Sequence, residues 1–229
     1  MLRYNIFNMI HKALRAMLYD TALTLQQTSF TNKDEAMTTF KKLNEVIEAF
    51  EQHGHHEDSM VIPVIEKFRP DVTASFEKDH IDDRRKGDDL RHLQNIYLSL
   101  QSPKERIVAG SAITKTFVDY MIFNLDHMQR EEIELNKLLW DNYNDDDIAR
   151  INDQIIAGIA PEQIIQASKW IMRGINIDEA TEWLISLKEN APAPVFNIMF
   201  ELSETCLPER FRATVRNKVM EHETAEPVF

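Results

Sequence analysis

Two residue pairs in this 229-residue chain have the types and spacing for metal chemistry: His53 with Glu57, and His127 with Glu131. Residues four apart on an α-helix lie only about 40° apart around its axis, so each pair presents an imidazole and a carboxylate side by side. Neutral imidazole donates a nitrogen to a transition metal, while carboxylate supplies negative charge and can bridge two cations. Without a cation, a buried carboxylate is costly. The pattern alone is weak, because a chain with 8 histidines and 38 acidic residues produces such pairs by chance. A third copy, His222 with Glu226, falls in the polar terminus HETAEPVF and reads as solvated.

A stronger criterion is whether separate histidines can reach one level, which depends on the elements that carry them. Only 5 Gly and 8 Pro interrupt the chain, and 43% hydrophobic with 28% charged residues is the composition of a globular protein with few tight turns. Apolar residues Phe7, Ile10, Leu14, Leu18, Ala22 and Leu25 recur at helical spacing and predict a first helix over 4–30. The stretch 31–35 supplies capping and acidic residues for a second helix over 33–68, which Pro63 should kink or end early. Arg69, Pro70 and Asp71 break the chain before a third helix over 72–100, and Ser102 with Pro103 opens a fourth that reaches about residue 140. The polar run 141–147 marks a boundary, giving a domain over 1–145 and a helical extension over 146–229 with segments near 147–158, 162–173, 178–189, 194–206 and 208–220. Trp170, Trp183, Phe196, Met199 and Phe200 give the extension apolar faces that could dock on the domain or on a second subunit. The expected fold is all-α: an up-down-up-down four-helix bundle with a C-terminal helical extension.

On these helices the histidines can be compared in depth. His11 stands about 19 residues before the first turn and His53 about 20 after it, which at 1.5 Å per residue agrees to about one helical turn. His80 stands about 21 residues before the last turn of the set and His127 about 24 after it. Four histidines, one per helix, thus converge on one layer with Glu57 and Glu131. His55, about 160° from His53, is expected to face solvent, His56, about 60° away, to border the site, and His92, three turns off, to be structural.

The segments IHKALR, FEQHGHHEDSMVIPVI, EKDH and DHMQREEIELNKLLW resemble, in order over residues 1–142, the four helical signatures of hemerythrin-like HHE cation-binding domains. The resemblance implies a non-haem di-iron centre of two iron ions with an oxo or hydroxo bridge. It makes His11, His53, His80 and His127 the nitrogen ligands, and Glu57 and Glu131 the bridging carboxylates. Oxygen-carrying members place a second histidine four residues along the third helix, where this chain has Arg84, and end their last motif with a more distant Asp. The chain is similar instead to the four-His, two-Glu arrangement of bacterial nitric-oxide-responsive and iron-centre-repair proteins. It lacks their N-terminal cysteine-bearing domain, so a repair role is not implied.

An open site of this kind is expected to bind or sense oxygen, nitric oxide or peroxide in redox or iron stress. The alternatives are a di-iron oxidoreductase of peroxidase or oxygenase type, or a bundle whose metals are structural or are zinc or manganese. Tyr4 and Tyr120, each seven residues from a ligand histidine, are candidate proton or radical partners for an enzyme or else structural aromatics, and Gly87 could open a channel or allow close packing. The net charge of -12 argues against nucleic acid and anionic membrane partners. The single Cys206 fits a reducing, cytoplasmic setting, and no apolar run is long enough to span a bilayer.

Overall fold

The computed structural model describes residues 3–222, and all regular structure among them is helical. Helix α1 (Asn8–Gln27) is followed by α2 (Lys33–His56), which passes through a π-helical turn, π1 (Glu57–Val61), into α3 (Ile62–Glu66). Next come α4 (Pro70–Ser99) and α5 (Pro103–Arg130), the latter running through a second π-helical turn, π2 (Glu131–Leu135), into α6 (Asn136–Asn142). Five shorter helices follow among the described residues: α7 (Asp145–Ala157), α8 (Pro161–Gly174), α9 (Ile177–Asn190), α10 (Ala193–Cys206) and α11 (Glu209–Glu221).

Local chemistry accounts for the boundaries. The Asn32 side chain accepts from the backbone N–H groups of Asp34 and Glu35 and starts α2, and Asn144 with Asp147 and Asn176 with Glu179 form reciprocal capping boxes on α7 and α9. Pro70 opens α4 rather than breaking the chain, because its missing N–H costs nothing in the first turn. For the same reason Pro63 does not stop the second rod: it sits in the first turn of α3, directly after π1.

Contacts divide the chain into two compact units, one of residues 1–8 and 17–158, the other of residues 9–16 and 159–229. The division falls after Gly158, one helix beyond the polar run 141–147. Helix α7 belongs to the first unit because Ile148 and Ile151 are buried in a cluster with Ile6, Phe7, Val61, Ile62, Ile65, Phe76, Leu135 and Leu139. Arg3 ties the start of the chain to the α6–α7 turn, donating to the carbonyls of Trp140 (3.0 Å) and Tyr143 (2.7 Å) and pairing with Asp145 at 2.6 Å.

In the second unit, Met172, Ala180, Leu184, Met199, Leu207, Val215 and Val219 form the buried cluster, with Met9, Trp183, Phe196 and Phe200 packed around it. Gly174 meets α1 so closely that a Cβ would stand 2.4 Å from the Lys12 carbonyl oxygen. None of the described helices is long and apolar enough to cross a membrane.

Candidate metal centre

Each His/Glu pair begins a run of buried residues spaced by four: His53, Glu57, Val61 and Ile65 on one rod, His127, Glu131, Leu135 and Leu139 on the other. In a straight α-helix every step of four drifts by about 40°, so three steps would carry the last residue about 120° off the buried face. The π-helical turns absorb this drift, since a wider turn holds more residues and rotates each one less. Both π turns start at the glutamate itself, at Glu57 and at Glu131. The carboxylate and the apolar residues beyond it therefore stay on one face.

All six residues singled out in the sequence are buried. Their ligand atoms fall into two groups, each within 4.8 Å internally: His11, His53, Glu57 and Glu131, and Glu57, His80, His127 and Glu131. Both glutamates belong to both groups. Glu57 shows how the sharing works, with Oε1 3.1 Å from His53 Nε2 and Oε2 3.3 Å from His80 Nε2. Glu131 Oε1 lies 2.8 Å from His127 Nε2 and 3.6 Å from His80 Nε2.

These distances are short, yet the buried Nε2 atoms of His80 and His127 make no hydrogen bond of acceptable geometry. These two nitrogens lie close to the shared carboxylates without being aimed at either of them. Buried polar groups are ordinarily hydrogen-bonded, so donor atoms left in this way fit a set of ligands converging on cations. Each group offers two imidazole nitrogens and two carboxylates, about four protein bonds per metal, a set that suits iron, manganese or zinc.

The electrostatics of the metal-free chain agree. Burial works to lower the His80 pKa, but the nearby carboxylates of Glu131, Glu57 and Asp58 overcome this and push it up to about 11. His127 is likewise lowered by burial and raised, on balance, by Glu131 and Glu57. Burial and the neighbouring Glu131 would raise Glu57, but His53 and His80 hold it below the ordinary carboxylate value. The carboxylates thus favour the protonated forms of His80 and His127, and a metal would displace those protons.

The chain matches no family model, no curated protein and no solved structure. The functional reading therefore rests on the site.

Of the remaining histidines, His56 borders the centre, near enough for His53 and Glu57 to act on its charge. His55 and His92 are exposed, His56 is half-buried, and His222 pairs with Glu189 at 2.7 Å, while its sequence partner Glu226 lies outside the described residues. Tyr4 is 37% exposed, its carbonyl accepts from the Trp140 indole at 2.7 Å, and burial together with nearby Asp153 raises the pKa of its phenol. At Gly87 a Cβ would stand 2.7 Å from Ile47 Cγ2, so the glycine permits close packing.

Sequence reasoning missed several neighbours of the ligands. Asp58 Oδ1 lies 2.6 Å from His80 Nδ1, and Asp79 Oδ2 lies 3.5 Å from His127 Nδ1 while also pairing with Arg130. Arg84 is drawn to the same system, 3.8 Å from Asp58 Oδ2. A signal existed: Asp58 directly follows Glu57, and Asp79 directly precedes His80. Toward the centre of the long helices lies a buried polar layer of Asp83, Asn124 and Tyr120, in which Asn124 Nδ2 donates to Asp83 Oδ1 at 2.7 Å.

Proposed function

We propose that residues 1–145 form a hemerythrin-like four-helix bundle holding a non-haem di-iron centre, and that the protein binds or senses a small ligand such as oxygen, nitric oxide or peroxide. The observation that carries this reading is the sharing of Glu57 and Glu131 by two adjacent groups, each with its own pair of histidines. A single structural metal needs only one such group. Two cations sharing two carboxylates, with about four protein bonds each, keep coordination positions for an exogenous ligand. When bound, the iron pair supplies reversible redox chemistry and Lewis acidity. The chain's own residues hold it, exclude bulk water and set its charge. A cytoplasmic location and association through the C-terminal helices complete the proposal.

Metal analysis with optical spectra of anaerobically purified protein tests it. The expected result is two irons per chain, a di-ferric absorption that shifts on adding azide, and a di-ferrous form that binds nitric oxide and is readily oxidised by air. Inertness toward both nitric oxide and oxygen would instead point to a structural or non-iron centre.

A second reading, an oxidoreductase, is favoured by the Asp83, Asn124 and Tyr120 layer. The Tyr120 hydroxyl is buried against the Asp83 carboxyl, off hydrogen-bond geometry, with Phe50 edge-on at 5.8 Å and Phe117 at 6.1 Å. A phenol beside a proton acceptor, about 10 Å along α5 from His127, is suited to proton or electron supply. Steady-state turnover of peroxide with a reductant, lost in Tyr120→Phe, would support this reading over simple binding.

A further inference from the structure

We propose that Asp58 and Asp79 are positioning residues that fix the tautomer and orientation of His80 and His127, so that both rings present Nε2 to the same buried group. This inference rests on the metal-centre reading above and concerns residues outside the six ligands.

The arrangement is alike on both sides but tighter at His80, where Asp58 is hydrogen-bonded to Nδ1 at 2.6 Å, than at His127, whose Nδ1 lies 3.5 Å from Asp79 without a hydrogen bond. Each aspartate faces Nδ1 of a histidine that sits on a neighbouring helical rod: Asp58 reaches from π1 to His80 on α4, and Asp79 reaches from α4 to His127 on α5. An imidazole that donates its Nδ1 proton to a carboxylate leaves the Nε2 lone pair for a metal. The two Nε2 atoms belong to one group with Glu57 and Glu131.

Each aspartate is in turn held by an arginine at the solvent edge. Arg130 pairs with Asp79 and spreads its guanidinium over the Phe76 ring at 5.1 Å. Phe76 lies 5.7 Å from the His127 ring on one side, and Phe123 stacks on it at 6.2 Å, with only 4° between the planes. These two rings confine the plane of His127, and Asp79 faces its Nδ1. Arg84 stands 3.8 Å from Asp58, a looser anchor, but Asp58 makes the closer bond to its histidine. A side chain at the edge of the site thus sets the direction of a nitrogen at its centre.

The test uses the full chain, with zinc(II) as a diamagnetic probe, chelator competition for affinity, and nitrogen-15 NMR of the imidazoles for tautomer. In the zinc-loaded wild type, His80 and His127 should each show a slowly exchanging Nδ1–H. Asp58→Ala and Asp79→Ala should weaken zinc binding by about 10- to 100-fold and lose or broaden that signal at the histidine concerned. Asp58→Asn and Asp79→Asn keep an acceptor oxygen, so each should retain the Nδ1–H, displaced in shift, with a smaller loss of affinity. The Asn variants carry the comparison wherever the Ala variants melt early when metal-free. Unmoved Nδ1–H signals and wild-type affinity in the Asn variants would overturn the proposal while leaving the metal centre in place. A wild type that binds no zinc or iron would overturn the metal centre itself, and this inference with it.

Discussion

Gly54 lies against the imidazole of His80: a Cβ on the glycine would stand 3.2 Å from His80 Cδ2 and 3.4 Å from Cγ. The glycine between His53 and His55 therefore has a steric purpose, letting the α4 ring close onto α2. Gly54→Ala should separate stability from metal binding. Alanine favours a helix interior by about 1 kcal/mol over glycine, which offsets the small displacement of the ring. The metal-free melting temperature should hold or rise while metal retention falls. Unchanged metal content, measured after purification and dialysis, would remove the significance given to this contact.

His53→Ala and Glu57→Ala each delete a buried donor and should deplete bound metal, whereas His55→Ala removes an exposed ring and should leave it unchanged. Elemental analysis of the three variants decides the matter. Equal losses in all three would contradict the assignment of faces on α2.

The helix spans were largely legible from periodicity and capping residues, and the depth count singles out the four histidines that fall in the two candidate ligand groups. Three things were not legible. The π turns escaped because a spacing of four looks helical over one step, and only the longer runs from His53 to Ile65 and from His127 to Leu139 reveal the drift that must be absorbed. Asp58 and Asp79 escaped because adjacency in sequence places them about 100° from the ligand next to them, and only the packing of neighbouring rods brings them to other histidines. The edge of the first unit escaped because the polar first turn of α7, Asp145, Asp146 and Asp147, conceals the apolar face that follows.

That face gives a stability prediction. Ile148 is fully buried in the cluster with Phe7, Phe76 and Leu135, so Ile148→Ala should destabilise the first unit by about 2–5 kcal/mol through lost burial and a residual cavity. Urea unfolding followed by helical circular dichroism measures it. A change below about 0.5 kcal/mol, the usual range for a surface position, would show that α7 is not held by this residue.

The buried polar layer gives a pH prediction whose sign follows from Asp83. Burial raises its pKa above the ordinary 3.8, against the lowering effects of Asn124 and Tyr120. Below 3.8 the carboxyl is protonated in both the folded and the unfolded chain, and its contribution to stability is fully present. As pH rises past 3.8 the unfolded chain ionises first, so stability is lost until the folded carboxyl ionises as well. Asp83→Asn removes that titration and keeps an oxygen to accept from Asn124 Nδ2, now 2.7 Å from Asp83 Oδ1. In metal-free protein, the stability of the variant relative to wild type should therefore grow as pH climbs above 3.8 and then level off. Denaturant midpoints for both chains across that range provide the comparison. A difference that stays constant with pH would mean that the Asp83 carboxyl ionises as easily inside the fold as outside it, and would leave the layer without the electrostatic cost described for it.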